Sequence, residues 1–196
     1  MSHLLRALPL LLLLAGCGTT AVVDRAPSGQ VVLIRCPQPD ADDLQDLKQD
    51  YGVKTVINLR GQHPNEEWYR EEQIGVREVG ARWVHLRVSG RSGPTPQVTQ
   101  AFLDLVRDPA NWPIAMHCQG GIHRTGAMVG LYRIAIQGWS SAAAIEELEE
   151  NWFDWTIEDR SQIKEFLRSY RPDREPTEEP RAVVPVEGQD ALAPAE

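Results

Sequence analysis

Cys118 and Arg124 stand with five residues between them, two of which are Gly120 and Gly121, and a hydroxyl, Thr125, follows directly. The full run reads His117-Cys118-Gln119-Gly120-Gly121-Ile122-His123-Arg124-Thr125-Gly126. These residue types at this spacing suit one task, holding a phosphate dianion over a thiolate. Consecutive backbone N–H groups, from Gln119 to Arg124, can curl around one tetrahedral anion where glycine lets the chain turn. A loop that feeds a helix N-terminus aims unpaired N–H groups and the positive end of the helix dipole at the same point. That field favours the thiolate, the reactive form of cysteine. Arg124 brings a planar fork that grips two phosphoryl oxygens at once, which lysine cannot do. Thr125 can donate a hydrogen bond to the sulfur and help it leave in a second step. His117 is suited to bracing the loop, and His123 reads equally as a substrate contact or a residue of the loop rim.

The elements around this run must deliver it to one point in space. An apolar segment, residues 113–117, reads as a buried strand feeding the loop, and residues 124–137 as the helix leaving it. Upstream, residues 31–35 read as a strand. Residues 40–51 read as a helix with Leu44 and Leu47 inward, Asp40 as cap and Gly52 as stop. Residues 54–59 form a short β-rich run, and residues 65–74 a helix capped by Asn65. Residues 82–88 are strand-like. Residues 95–107 place Val98, Phe102, Leu105 and Val106 on one helical face. Ser140 or Ser141 caps a helix over 142–150, and a last helix, 157–170, turns Ile163, Phe166 and Leu167 inward. Strands alternating with helices predict an α/β sandwich, a central mainly parallel sheet flanked by helices on both faces. The reactive loop then lies at the carboxyl end of a central strand, where such sheets bind ligands. Trp112, Trp152 and Trp155 read as packing residues, and Trp68 and Trp83 as packing residues that could also border the pocket.

The His-Cys-x5-Arg-Thr run resembles the signature loop of the cysteine-based protein tyrosine and dual-specificity phosphatases. The closer resemblance is to the atypical dual-specificity group of fungi, plants and bacteria. It rests on the Gly121-Ile122-His123-Arg124-Thr125-Gly126 ending and on the upstream strand Thr55-Val56-Ile57-Asn58-Leu59-Arg60. The resemblance implies hydrolysis of phosphate monoesters through a phosphocysteine intermediate, with Cys118, Arg124 and Thr125 catalytic. It implies substrate binding by His117, Gln119, Gly120, Gly121, Ile122, His123 and Gly126. It calls for no cofactor and no metal. Members of the group that act on inositol pyrophosphates add a small phosphorylated substrate to a phosphorylated protein as the candidates. A phosphate-binding module without turnover is the alternative of another class. The family commonly carries an aspartate, acting as general acid, about thirty residues before the cysteine. Here residues 83–92 contain no carboxylate, and Asp104 and Asp108 fall on or at the end of a helix.

The ends of the chain read differently from its middle. Arg6 precedes an apolar run, residues 8–15, too short to span a bilayer comfortably. Leu14-Ala15-Gly16-Cys17 follows and looks like a bacterial lipobox, in which the signal, residues 1–16, is cut before a cysteine that carries the lipids. Lipidated Cys17 would anchor the protein to the periplasmic face of the outer or inner membrane of a bacterial envelope. Residues 17–30 read as a tether, and residues 171–196, acidic and proline-rich, as a disordered tail. Residues 31–170, about 140 in all, suffice for one domain, expected as a monomer. The formal charge of −8, from 20 basic and 28 acidic residues, argues against a nucleic-acid partner. Positive charge must therefore be concentrated locally, with Arg60, Arg87 and Arg91 as candidates to extend that of Arg124. With Cys17 lipidated, Cys36 and Cys118 remain. Cys36 reads as a small buried hydrophobe, or as a partner for Cys118 in a reversible disulfide.

Overall fold

A computed structural model describes residues 19–151 and 161–172. Its sheet has the order β1-β2-β5-β3-β4, with β1 (Ala21–Arg25), β2 (Val31–Cys36), β3 (Thr55–Asn58), β4 (Arg82–His85) and β5 (Ile114–His117). β2, β5, β3 and β4 are parallel, and β1 is antiparallel to β2. β2, β3 and β5 are buried along their whole length, as the continuous apolar pattern of central parallel strands requires.

Helices cover both faces. On one, α1 (Ala41–Tyr51) and α2 (Glu67–Glu78) pack Leu44, Leu47 and Val76 against Ile34, Val56 and Ala115. On the other lie α3 (Pro96–Arg107), α4 (His123–Ala135), α5 (Ser141–Asn151) and α6 (Ser161–Ser169). Their Phe102, Met128, Leu148 and Leu167 meet Leu33, Ile57, Ile114 and Met116. The α/β sandwich expected from the alternation is the fold observed. α4 is the central helix, buried from Thr125 through Tyr132, and it leaves directly from the carboxyl end of β5.

Local chemistry explains most boundaries. Asp40 and Asp43 form a reciprocal capping box on α1, and Gly52 ends that helix in the left-handed region at φ 69°. Thr95 caps α3, and the Ser140 hydroxyl accepts from Ala143 N at 3.1 Å to cap α5. In α6, Ile163 and Leu167 are buried and Phe166 is half-buried. The Trp112 indole donates to Val106 O at 2.9 Å as a packing residue.

Three expectations need correction. The segment read as a tether contains β1. Val22 and Val23 favour a strand, and a turn bonded between Ala26 and Gln30 folds it back onto β2. The Tyr132 hydroxyl donates to Asp24 at 2.6 Å and Arg133 to Val23 O at 3.1 Å, tying the strand to α4. Asn65 does not cap α2, which starts at Glu67 without a side-chain cap and continues to Glu78. Gly75 lies inside the helix, beyond the expected end at residue 74, and a Cβ there would stand 2.7 Å from Leu44 Cδ1, so its bareness lets α1 and α2 approach. β4 ends at His85, although Leu86 and Val88 still donate to Asn58 O and Leu59 O. Residues 1–16, Cys17, Trp152, Trp155, the start of the last helix at 157–160 and the tail from 173 lie outside the described residues.

Candidate active site

The loop after β5 is held by its carbonyls, which leaves its amides unclaimed. Gln119 O accepts from Gln38 N at 3.0 Å, and Gly121 O accepts from the Arg35 guanidinium. Ile122 O accepts from Gly126 N at 2.6 Å and starts α4. With these carbonyls turned to the scaffold, the N–H groups of Gln119, Gly120, Gly121 and Ile122 donate to no backbone carbonyl among the described residues. No side chain caps the N-terminus of α4. The loop and the helix end thus combine as an anion cradle.

Of the two loop glycines only Gly121 is required by backbone conformation. Its φ is +67°, and a Cβ there would lie 2.7 Å from Cys36 O and 2.8 Å from Pro37 N. The chain after β2 therefore presses on the loop from behind. Gly120 has no positive φ and nothing within 4 Å of its Cβ position.

Cys118 is buried, with 4% of its surface exposed, and Gln119 is exposed above it. Ile122, His123 and Arg124 are half-buried around the rim. The Thr125 hydroxyl is fully buried with no hydrogen-bond partner among the described residues, so it does not bond the sulfur in this structure. His117 is completely buried; its Nδ1 lies 3.1 Å from Cys118 O and its Nε2 2.7 Å from Glu72 Oε1. It braces the loop and is not exposed to a substrate.

Cys36 and Cys118 are both free and buried, and they belong to the core clusters on opposite faces of the sheet. Cys36 packs with Leu44 and Leu47 of α1, and Cys118 with the α3 and α4 side chains. Burial pushes the Cys36 thiol far above its ordinary range. The small-hydrophobe reading fits, and a disulfide to Cys118 would require the strand end to turn over.

Arg60 follows β3 at the loop mouth. Its guanidinium donates to Gln38 Oε1 at 2.9 Å and stacks 3.3 Å from the centre of the Trp68 ring. Burial first, and then the nearby Arg124 charge, lower its pKa. Arg87 runs its alkyl stem over Gly61, and Arg91 is exposed at the tip of a turn, residues 89–93, beside Arg124. That turn is closed. Ser89 and Gly93 exchange backbone bonds of 3.3 and 3.2 Å, and Ser89 Oγ accepts from Arg91 N and Ser92 N. Gly90 faces Arg124, whose Nε would lie 3.5 Å from a Cβ there. No carboxylate stands in this turn. Asp104 is exposed on α3 and bonded to Gln100, and Asp108 caps the 3₁₀ turn Pro109–Asn111 at the opposite end of β5 from Cys118.

The supporting residues Glu72, Arg35 and Gln38 went unread in the sequence. Glu72 of α2 is 1% exposed and accepts from His117, Trp83, Asn58 and Gln38 at 2.7 to 2.8 Å. Arg35 of β2, also buried, reaches under the loop, and burial lowers its pKa to about 10 against the opposing pull of Cys118. Signals existed. Arg35 and Asn58 interrupt otherwise apolar strands, and Glu72 shares the inward face of α2 with Tyr69 and Val76, three and four residues away.

A sequence model of a family described as "DSP-PTPase phosphatase fused to NAD+ Kinase" matches residues 21–165. The dual specificity protein phosphatase TpbA of Pseudomonas aeruginosa is 46% identical over 121 residues, covering 62% of this chain and 51% of that protein. The inositol diphosphatase DSP3 of Arabidopsis thaliana is 32% identical over 125 residues, covering 60% of this chain and 61% of that protein. The chain thus spans about half the length of the first of these relatives and about three fifths of the second. In structure, the core catalytic domain of the PP-IP phosphatase SIW14 from Saccharomyces cerevisiae superposes with a TM-score of 0.64. That match covers 81% of this chain and 88% of that one at 23% identity, which bears on the fold.

Proposed function

We propose that this chain, which belongs to the DSP-PTPase phosphatase family, hydrolyses phosphate monoesters through a phosphocysteine on Cys118. The observation that carries the reading is the loop of residues 118–124, whose carbonyls at 119, 121 and 122 are bonded to the scaffold and to α4 while its amides at 119–122 donate to no backbone carbonyl among the described residues. Cys118 Sγ attacks phosphorus in line, the S–P bond forms, and the P–O bond to the leaving group breaks. Water then attacks phosphorus, and the sulfur leaves as thiolate. Arg124 and the loop amides hold the equatorial oxygens, and positioning with charge stabilisation supplies most of the rate in phosphoryl transfer. The unpartnered Thr125 hydroxyl supplies a hydrogen bond to the sulfur as it departs.

The substrate is a phosphorylated protein or a small phosphorylated molecule. The turn at residues 89–93 favours a leaving group that needs no proton, a phenolate or the phosphate of an anhydride, because it brings no carboxylate to Arg124. The similarity to an inositol diphosphatase supports the small-anhydride alternative, and the similarity to TpbA supports the protein phosphatase. The run ending in Gly16-Cys17 supports a further proposal, a lipid anchor on Cys17 that holds a monomeric domain at the periplasmic face of a bacterial membrane.

Phosphate release from an aryl phosphate, compared between the wild type and C118S, tests the activity. Release by the wild type alone is expected. Equal inactivity with retained phosphate binding would leave a binding module in place of an enzyme. A panel of phosphotyrosine peptide, phosphoserine peptide and inositol pyrophosphate then ranks substrates. The intact mass of the mature N-terminus tests the anchor, and an unmodified Cys17 refutes it.

A further inference from the structure

Arg60 brings a half-buried guanidinium to the loop mouth and forms no ion pair there among the described residues. Its strand puts it in that place. Asn58 of β3 lies opposite His117 in register, and Leu59 N donates to His117 O at 2.9 Å, so Arg60 leaves the sheet next to the start of the loop. Gln38 ties it to the loop a second time. Gln38 N donates to Gln119 O at 3.0 Å, and Gln38 Oε1 accepts from the Arg60 guanidinium at 2.9 Å.

Neutral groups hold this side chain in position. One face stacks 3.3 Å from the centre of the Trp68 ring, and Gln38 is itself anchored, its Nε2 donating to Glu72 Oε2 at 2.8 Å. A guanidinium has five N–H donors. Arg60 uses one on Gln38 and bonds no other group through its guanidinium among the described residues. Arg133, by contrast, is gripped by Glu147 through two bonds of 2.9 and 2.7 Å. A Trp68 face that carries a guanidinium cannot also stack an aryl ring, and His63 and Tyr69 border that ring with centroids at 5.4 and 5.8 Å. Trp68 is a pedestal for Arg60.

Ordering an arginine costs side-chain entropy, and here a second cation stands close. Burial first, and then the Arg124 charge, work against the Arg60 cation. Glu72 and Glu66 act the other way, but Glu72 is already engaged by Gln38, Asn58, Trp83 and His117. Two planar forks held side by side are an arrangement that an anion reaching both would complete.

We propose that Arg60, on its Trp68 and Gln38 supports, is the subsite for a second phosphate of the substrate, beside the phosphate held by the 118–124 loop. Its chemistry rests on the hydrolase reading of that loop. As Cys118 Sγ attacks the first phosphorus, the P–O bond to the bridging oxygen breaks and its electron pair stays on that oxygen. The second phosphate leaves as an anion that Arg60 stabilises, in place of a proton from the turn at 89–93. Phosphonates, whose P–C bonds the thiolate cannot cleave, test the subsite on the full chain by calorimetry. Methylenediphosphonate should bind at least about tenfold tighter than methylphosphonate, the worth of one charge-assisted bond, and R60M should bring the two within about threefold of each other. Equal affinities in the wild type overturn the proposal, with no variant needed should R60M fail to fold. Equal losses of both ligands in R60M overturn it too, because Arg60 would then only shape the mouth. Phosphonoacetate should bind more weakly than the diphosphonate; equal binding would assign the subsite to any second anion, and tighter binding of phenylphosphonate would assign the wall to an aryl ring. A wild type that prefers the diphosphonate yet releases no phosphate from pyrophosphate or an aryl phosphate would refute the hydrolase reading and leave the subsite standing.

Discussion

Two loops meet at Arg124. One, residues 118–124, is held from both faces of the sheet, by Arg35 through Gly121 O and by Glu72 through His117. The other, residues 89–93, is closed by a pair of backbone bonds and by the Ser89 hydroxyl, and it turns the bare face of Gly90 toward Arg124. Both are closed by their bonding, but only the first holds the groups that the proposed hydrolysis uses. Attack on phosphorus and protonation of the departing oxygen are separable tasks, and under the proposed function the first would draw on many groups of the loop and the second on no carboxylate of that turn.

The comparison is broken most directly at Arg124. R124K keeps the charge and loses the bidentate fork, so kcat/KM for an aryl phosphate falls on the order of 10²–10³-fold, measured by steady-state phosphate release. A loss of less than tenfold would mean that the amides alone hold the transition state. The second loop is examined through the leaving group. A general acid contributes about 10²–10⁴ in rate, so its lack costs an alkoxide about that much more than a phenolate of low basicity. Rates over a series of aryl and alkyl phosphates should decline steeply with leaving-group basicity. A flat series would mean that a proton donor outside the turn reaches the substrate.

Acid sharpens the same contrast, because one loop rests on a buried carboxylate and the other contains none. Burial pushes the Glu72 carboxyl up, but the bonds from His117, Gln38 and Trp83 outweigh it and hold the group below its usual range. The folded state then binds fewer protons than the unfolded one. The stabilisation is present above the unfolded value of about 4.3 and is lost as the pH falls through the folded one. The urea midpoint of the wild type should therefore drop more steeply between about pH 5 and pH 3 than that of E72Q. His85 is common to both proteins and cancels in the difference. Parallel curves would place the Glu72 carboxylate outside the folding equilibrium.

What could be read from the chain follows the range of the forces involved. The Cys118 loop, the Asp40 cap of α1 and the α/β alternation are local in sequence, since spacing, caps and periodicity express them within a few residues. β1 was missed because its strand character depends on β2 and on Asp24 meeting Tyr132, a partner 108 residues away. The Glu72 cluster was missed for the same reason. Its donors come from positions 38, 58, 83 and 117, and no window contains them together. α2 was ended four residues early, at 74 rather than 78, because the bare Gly75 inside it is explained only by a tertiary contact with Leu44.

Glycines give the finest test of how the two loops differ. In the first, Gly121 combines φ +67° with a Cβ position 2.7 Å from the Cys36 carbonyl, and both objections to a side chain involve backbone that cannot swing aside. G121A should lose at least about 2 kcal/mol of stability by urea unfolding, together with most of the activity, because the loop must shift to accept the methyl. In the second, Gly93 has φ +83°, but its Cβ would only touch the Phe166 ring at 3.5 Å, so G93A costs about 1 kcal/mol of conformational strain and leaves Arg124 in place. Gly120 has neither a positive φ nor a neighbour within 4 Å, and G120A should fall within about 0.5 kcal/mol of the wild type. Equal losses at 120 and 121 would mean that the loop needs freedom along its whole length, and that the close approach of residues 36 and 37 is not what sets its curvature.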